Sequence, residues 1–420
     1  MTNPANLIQE RPLVSKICRV AFCLYVVFML AGSAMPFQDD DAVSAMTVSN
    51  PINQVVDSVI PLVCLVCLWP KRRQALEILS QKKYFVLFLL WCAISVTWSE
   101  SPLMSVKASI RIIGSTIVAL SFFVHSEFSE DALKYLKAVL AIYVPLTILA
   151  IALVPGATQE GSAWRGLASH KNTLGEIALV STIVWAAGIS HTGSKRKLWC
   201  ALFAAASLVL VAGSRSTTSF VTLAFIAFLG LSVFLVRRLG TMFTAVAFSL
   251  CLACGTLIFV NVASVDTIFA GLGKDDTFTG RTDIWDSIIR EAKLHPLQGA
   301  GFGGFWTPER DLGLYTPQES VWQPNEGHEG YLDLLNETGM VGVCLLALMV
   351  ISCFVRTVKL KTWNLWMLLF IAVLMVNTME STLFRAGSFT GWIFLLAYLG
   401  VQTPQFRPDS NAPRSGALPA

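Results

Sequence analysis

Apolar stretches near the length of a bilayer recur along most of this 420-residue chain, and they constrain its fold more than any other feature. A stretch of roughly 20 apolar residues crosses the hydrocarbon core as a helix. Lipid offers no hydrogen bonds to open backbone groups, so each span must be helical. Only 14% of the residues are charged, against about a quarter in soluble proteins. The sequence therefore predicts an all-α polytopic membrane protein.

The hydropathy pattern predicts about twelve transmembrane helices, with one large loop between spans nine and ten. The spans are predicted at 20–36, 52–69, 84–99, 105–124, 138–154, 173–190, 198–213, 217–236, 242–263, 339–355, 363–379 and 386–402. They divide the chain into spans one to nine (1–263), the loop (264–338), spans ten to twelve (339–402) and a Pro/Ser-rich tail (403–420). The composition of the tail is typical of disorder.

Within the loop, one segment has the apolar spacing of an amphipathic helix. It runs from Thr282, the expected N-cap, to Leu294, and Pro296 prevents its continuation.

The charge distribution predicts the orientation. With the N-terminus inside, most of the 31 lysines and arginines fall in inside segments, whereas the first outside loop carries three consecutive aspartates at 39–41. Basic residues in short loops mark the cytoplasmic face. We therefore expect both termini in the cytoplasm and the long loop on the opposite, periplasmic side.

Several basic residues contradict this charge rule and so become candidate ligands for an anion. Arginine suits a diphosphate, because its planar guanidinium can bond two oxygens at once. A charge inside a span, such as Arg111, is costly and marks a candidate functional residue. The predicted anion-binding and supporting residues are Arg165, Lys171, Arg215, Arg281 and Arg385 outside, with Arg111 in span four. For a membrane enzyme they indicate a lipid-linked phosphate.

His328 is the candidate general base. It lies between Glu326 and Glu329, which are further catalytic candidates, where the long loop meets span ten. The pKa of an ordinary histidine, near 6.5, suits proton transfer at neutral pH. His170, at the entrance of span six, is a candidate supporting residue. A structural role and metal binding remain alternatives for both, although no H-x-x-x-H or D-x-D spacing lies beside either histidine, so we expect no metal.

A glycine-rich run at 299–304 has the G-x-G-x-x-G pattern of dinucleotide sites. Such a site needs a strand before the run and a helix after it, and neither is predicted here. The glycines are better explained by close approach of this segment to the membrane domain. We therefore expect no cofactor, and the small net charge of +4 gives no indication of nucleic-acid binding.

Six short motifs resemble the O-antigen ligase and polysaccharide polymerase superfamily. Four lie in and after the long loop: GRTDIW at 280–285, PLQGAGFG at 296–303, HEGYL at 328–332 and ETGMVG at 337–342. Two more resemble its exopolysaccharide-polymerase branch: RGLASHKNTLG at 165–175 and GSRS at 213–216. Each motif alone is weak, whereas their order and spacing together are fairly specific.

The resemblance implies a membrane glycosyltransferase of the GT-C type in the bacterial inner membrane. Such enzymes transfer a glycan from undecaprenyl diphosphate to an acceptor hydroxyl, with inversion and without metal. The family's diphosphate-binding arginines correspond to Arg215 and Arg281, its histidine to His328, and Tyr331 in the same motif becomes a supporting residue. The ligase pattern has Asn, Ser or Gln where this chain has Glu329, which weakens the ligase assignment more than the general chemistry.

Three functions remain open from the sequence. The first is a polymerase of lipid-linked repeat units, the second an O-antigen ligase acting on a lipid A core, and the third a flippase for lipid-linked sugar. A flippase predicts charges distributed through the spans, whereas the candidates here gather on one face. The expected partners are the lipid-linked donor, the glycan acceptor and membrane lipid, with other polysaccharide export proteins as further candidates.

Overall fold

The computed structural model describes residues 12–31, 51–126, 131–159, 163–189, 193–239, 281–307, 326–360, 364–385 and 387–401. Its α-helices are α1 (Pro12–Ala31), α2 (Pro51–Leu68), α3 (Arg72–Ser80), α4 (Lys83–Ser95), α5 (Pro102–Val124), α6 (Asp131–Leu153), α7 (Lys171–Ile189), α8 (Ser194–Ser214), α9 (Thr217–Leu239), α10 (Arg281–Ala292), α11 (Gly330–Leu360), α12 (Leu365–Val376) and α13 (Phe389–Gly400). Short 3₁₀ turns lie at Trp69–Lys71 and Pro155–Ala157, and β1 (Thr158–Gln159) pairs antiparallel with β2 (Ala163–Trp164).

The predicted polytopic all-α membrane protein is confirmed. Among the described residues, seven stretches are long and apolar enough to cross a membrane, and they lie on α1, α2–α3, α5, α6, α7, α8 and α11. Shorter apolar helices are α4, the first part of α9, α12 and α13. A helix thus lies at every predicted span that the structure describes, and 242–263 is not among them. That span, the tail at 403–420 and much of the long loop fall outside the described residues.

The centre of the bundle is formed by α12 and α13, which are apolar on all sides. A helix without a polar face is stable in lipid or in a protein core, and here other helices bury most of both surfaces. Aromatic rings link the two helices, with Phe370 and Phe394 stacked at 5.0 Å between centroids. Each helix has a polar N-cap: Asn364 accepts from Met367 N–H, and Ser388 accepts from Gly391 N–H. By contrast, α2 and α8 expose many apolar side chains, as lipid-facing helices do.

The longest of the described helices, α11, is interrupted at Gly339, where φ is 65° and ψ is −172°. The interruption lies at the predicted boundary between the long loop and span ten. Helical structure therefore begins at Gly330, earlier than predicted, and the segment 330–338 continues the predicted span toward the loop.

The backbone groups that lose their helical partners at this interruption form hydrogen bonds with the segment after α10. Met340 N donates to Pro296 O at 2.9 Å, and Val341 N donates to Leu297 O at 3.3 Å. In the other direction, Ala300 N donates to Asn336 O at 2.8 Å, and Gly301 N donates to Glu337 O at 3.0 Å. Buried backbone groups need such partners, so the two segments stabilise each other.

The glycine run at 299–304 permits this close contact. A Cβ on Gly299 would overlap the backbone of Glu337, and a Cβ on Gly301, where φ is 102°, would overlap Ser99. Phe302 N then donates to Ser95 Oγ at 3.0 Å, which attaches the run to α4. Close approach to the membrane domain therefore explains the G-x-G-x-x-G pattern.

The amphipathic helix is present as α10, which packs on α11 with Ile284 and Ile288 fully buried. The predicted N-cap at Thr282 is wrong, because the helix already includes Arg281 and Thr282 lies in its first turn. Trp285 Nε1 donates to Gly327 O at 2.8 Å, so α10 is bonded to the loop that precedes α11.

We expect Gly339→Ala to destabilise the protein by roughly 2–4 kcal/mol. The added Cβ would overlap the Leu297 carbonyl, at a φ that alanine adopts only with strain. Thermal unfolding of the purified protein in detergent would show a lower Tm. Gly230→Ala is the matched control, because a Cβ there has no atom within 4 Å in the described structure and alanine favours a helix. Equal Tm values for the two variants would contradict the stated role of the interruption.

Candidate functional site

His328 lies in the loop between α10 and α11, with its imidazole facing two carboxylates. Its Nδ1 is 3.2 Å from Glu326 Oε1 and 3.6 Å from Glu380 Oε2. The backbone of His328 is left-handed, with φ at 51°. A non-glycine residue in this region costs free energy and is often found at functional sites.

The surroundings of His328 change its basicity in opposite directions. Burial is the largest influence and lowers the pKa, because it disfavours the imidazolium. The interactions with Glu380 and Glu326 favour the imidazolium, and together they raise the pKa of His328 above its ordinary value despite burial and the nearby Arg281. The imidazolium is therefore stabilised at this position.

Glu380 is the centre of the cluster and was not predicted from the sequence. It is 5% exposed and follows α12. Arg281 is at the start of α10, and its Nη2 lies 3.4 Å from Glu380 Oε1. The Nη1 of the same arginine donates to Met379 O at 2.8 Å. Asn172 of α7 donates to the same Oε1 at 2.7 Å. Glu380 thus joins three elements that are far apart in sequence.

Arg385 connects this group to a second buried carboxylate. Its Nη1 lies 3.3 Å from Glu326 Oε2 and 3.6 Å from Asp333 Oδ2. Asp333, also not predicted, accepts from Gly327 N at 3.0 Å, from Trp306 Nε1 at 3.2 Å and from the Ser381 hydroxyl. Asp333 therefore fixes the loop that carries His328 through the hydrogen bond from Gly327 N. We name Arg281, Glu326, His328, Asp333, Glu380 and Arg385 the charged cluster.

The turn between α12 and α13 is held in place by Asn377. Its side-chain oxygen accepts from Leu383 N at 2.9 Å and Thr382 N at 3.1 Å, while its carbonyl accepts from Gly330 N at 2.9 Å. The signal in the sequence was a polar run at 377–382 between two apolar helices. It is visible, but without a fold it resembles an ordinary solvated turn.

Two neighbours of His328 have contacts of a structural kind. Glu329 Oε2 accepts from Leu332 N, which caps the start of α11, and burial raises the pKa of this carboxyl. Tyr331 donates from its hydroxyl to Leu374 O at 2.7 Å. The structure thus places Glu329 and Tyr331 beside His328 in sequence, and the side chain of each is hydrogen-bonded to a backbone group.

The candidates at the N-terminal end of α7 form a compact turn. Arg165 is buried and donates from Nε to Gly156 O at 2.6 Å and from Nη1 to Ser169 O at 3.4 Å. His170 Nδ1 accepts from Asn172 N at 3.2 Å, and Lys171 N donates to Gln159 Oε1 at 2.9 Å. This turn presents Asn172 to Glu380, which connects it to the charged cluster.

Arg215 is exposed at the C-cap of α8, with φ at 53°. The adjacent serines Ser214 and Ser216 pack against Gly175 so closely that a Cβ there would overlap both. Gly175 lies one turn after Asn172 on α7. Helix α7 therefore contacts the serines beside Arg215 through Gly175, and it contacts the charged cluster through Asn172. Arg111, on α5, instead pairs with Asp57 of α2 at 2.9 Å.

A cation site is the chemical alternative for part of the cluster. Donor atoms of Glu326, His328 and Glu380 lie within 4.8 Å of one another, a set that a divalent cation could bind. Arg281 and Arg385 contact the same two carboxylates, and their charges oppose a cation there. We assign no step to a metal, and metal independence stays a prediction.

Comparison with known proteins agrees with the motifs. Residues 200–347 match the family model described as O-Antigen ligase, a range that includes Arg215, Arg281 and His328. The exopolysaccharide production protein ExoQ of Rhizobium meliloti (strain 1021) is 24% identical over 286 residues. That alignment covers 65% of this chain and 64% of the relative, so the chain spans just under two thirds of the relative's length. The chain is therefore similar to the O-antigen ligase family over residues 200–347, and over about two thirds of its length to an exopolysaccharide production protein.

Proposed function

We propose that the protein is an inverting membrane glycosyltransferase that polymerises undecaprenyl-diphosphate-linked repeat units into exopolysaccharide. The reaction takes place on the periplasmic face of the bacterial inner membrane, and both termini are cytoplasmic. One observation carries the proposal. His328 is set between two carboxylates, and arginines border the same carboxylates, at the end of a membrane helix. This arrangement offers a base and anion-binding groups together.

His328 acts as the general base. Because its Nδ1 faces Glu326 and Glu380, its Nε2 is the atom that accepts the proton of the acceptor hydroxyl. The acceptor oxygen attacks the anomeric carbon of the donor sugar, and the bond from that carbon to the diphosphate oxygen breaks on the opposite face. The two carboxylates stabilise the imidazolium that results, as the aspartate of a catalytic triad does.

Arginines stabilise the leaving diphosphate. Negative charge grows on it as the bond breaks, and fixed cations in a site with little water lower the energy of that state. Arg281 lies beside Glu380 and therefore close to the base, whereas Arg215 is exposed and accessible to a phosphate at the membrane surface. A diphosphate leaves without protonation by an acid catalyst. The other predicted ligands, Arg165 and Lys171, contribute through the turn that presents Asn172.

The main competing function is an O-antigen ligase acting on a lipid A core, which the description of the matching family favours. The name of the relative, an exopolysaccharide production protein, favours the polymerase. Both reactions use the same donor chemistry and differ only in the acceptor. A flippase would require charges along a transmembrane path, whereas the charged cluster lies at the ends of α10, α11 and α12.

Replacement of His328 tests the base. We expect His328→Asn to lower the rate of chain extension by about 10²–10⁴-fold, because asparagine tolerates the left-handed backbone but accepts no proton near neutral pH. The rate is measured in nanodiscs with lipid-linked repeat units as substrate, and polymer length is read on gels. His295→Ala, at an exposed position, is the control. A correctly inserted His328→Asn protein with full activity would show that His328 is not the base.

The pH profile tests the carboxylates. Only neutral His328 accepts a proton, so activity should rise with pH through an ionisation above the ordinary histidine pKa of about 6.5. Glu326→Gln removes one interaction that raises this pKa, so we expect the acid limb of the kcat profile to move to lower pH. Glu77→Gln, an exposed change on α3, should leave the limb in place. An acid limb that moves upward, or not at all, in Glu326→Gln would contradict the assignment.

The glycan of a deletion strain distinguishes the functions. For a polymerase we expect single repeat units to accumulate on the carrier lipid, and complementation with the unsubstituted gene restores long chains. Long chains retained on the carrier lipid would indicate a ligase instead. Repeat units that stay on the cytoplasmic face would indicate a flippase. Mass spectrometry of the extracted lipid-linked glycans measures their length. A glycosidase that acts only in the periplasm digests only the glycans on that face, so comparison with and without it separates these outcomes.

A further inference from the structure

Asn172, at the second position of α7, bonds directly to the buried carboxylate of Glu380. Its Nδ2 donates to Glu380 Oε1 at 2.7 Å, although the two residues are 208 positions apart in sequence. Arg281 Nη2 lies 3.4 Å from the same oxygen. The asparagine therefore makes the shorter of these two contacts to Oε1.

The two oxygens of Glu380 have different surroundings. Oε1 faces the donors of Asn172 and Arg281, whereas Oε2 faces His328 Nδ1 at 3.6 Å. A carboxylate that is free to rotate would exchange its oxygens and lose this arrangement. Because donors from two separate helices hold Oε1, Oε2 is the oxygen that remains directed at the imidazole.

The two contacts to Oε1 differ in how they respond to a donor substrate. In the proposed reaction Arg281 binds the leaving diphosphate, so the diphosphate and Glu380 compete for one guanidinium. Asn172 is neutral, and an arriving anion attracts an amide much less than it attracts a cation. With the donor bound, Asn172 is therefore the contact that keeps Glu380 in place.

The position of Asn172 is fixed by contacts on two sides of α7. His170 Nδ1 accepts from Asn172 N at 3.2 Å, as an N-cap side chain does for the second N–H of a helix. One turn later, Gly175 packs against Ser214 and Ser216 so closely that a Cβ there would overlap both. The start of α7 thus holds the amide beside Glu380 without help from a substrate.

We propose that Asn172 is a positioning residue, which holds Glu380 so that its second oxygen supports the imidazolium of His328 during transfer. The inference rests on the proposed glycosyl transfer. It also gives a role to the motif at 165–175, whose Arg165 bonds instead to the nearby carbonyls of Gly156 and Ser169.

A histidine titration tests this role without turnover. The chain has five histidines, so selective labelling gives few NMR resonances, and the one that is absent from His328→Asn belongs to His328. In full-length protein in nanodiscs, we expect Asn172→Ala to lower the proton affinity of His328 about three- to tenfold, because Glu380 then supports the imidazolium less well. The other charged groups that influence His328, Glu326 and Arg281, are unchanged in this variant. Asn172→Gln keeps an amide and should lower the proton affinity less.

Ser181→Ala is the matched control on the same helix. It removes the 2.7 Å hydrogen bond between Ser181 and Ser207 of α8, and it lies roughly 14 Å along α7 from Asn172. It should leave the proton affinity of His328 unchanged, even if the Tm falls. An unchanged proton affinity in Asn172→Ala, or an equal loss in Ser181→Ala, would overturn the proposal.

A double-mutant cycle identifies the group through which Asn172 acts. In a Glu380→Gln background, Asn172→Ala should cause little further loss of His328 proton affinity, since the positioned charge is already absent. In chain extension we expect Asn172→Ala to lower kcat about tenfold, with the KM for the lipid-linked donor changed less than about twofold. An additive cycle, or a loss confined to KM, would overturn the proposal. A coupled cycle in the titration, together with intact polymer in the deletion strain, would reject the proposed polymerase and retain the positioning of Glu380.

Discussion

The interruption of α11 at Gly339 is the constraint on which the site depends. A continuous helix would bond its own backbone groups and leave nothing for the segment at 296–301 to contact. Instead, Asn336 and Glu337 carbonyls accept from that segment, and Met340 N donates to it. The segment directly follows α10, so its attachment sets the position of α10 and hence of Arg281. One glycine with positive φ thereby places an arginine beside a carboxylate from another part of the chain.

The electrostatics of the charged cluster follow from this placement. Glu380 and Asp333 are both less than a tenth exposed, and an isolated buried carboxylate is strongly disfavoured. Each is stabilised by an arginine and by neutral donors, such as Asn172 for Glu380 and the Gly327 backbone for Asp333. Removal of one partner leaves a buried charge without compensation, so the cluster behaves as a unit rather than as separate pairs. His328 is attached to this unit through both Glu326 and Glu380.

The sequence predicted the fold more completely than the site, for a physical reason. Spans are specified locally, because each apolar stretch must cross the bilayer whatever its neighbours are. The glycine run and the amphipathic helix were also recognisable, since their patterns are local. Glu380 and Asp333 were missed because their importance comes from contacts with Arg281 and Arg385, which no spacing encodes. Glu329 was taken as a catalytic candidate from its proximity in sequence, and its observed contact is a helix cap.

Backbone strain gives the site a fixed shape. In the described part of the chain, the non-glycine residues with positive φ are Arg215, His328 and Phe384, and each such residue costs about 1–2 kcal/mol. His328 keeps this conformation because Gly327 before it is bonded on both sides, its N–H to Asp333 and its carbonyl to Trp285. The imidazole is therefore oriented by the backbone before any substrate arrives.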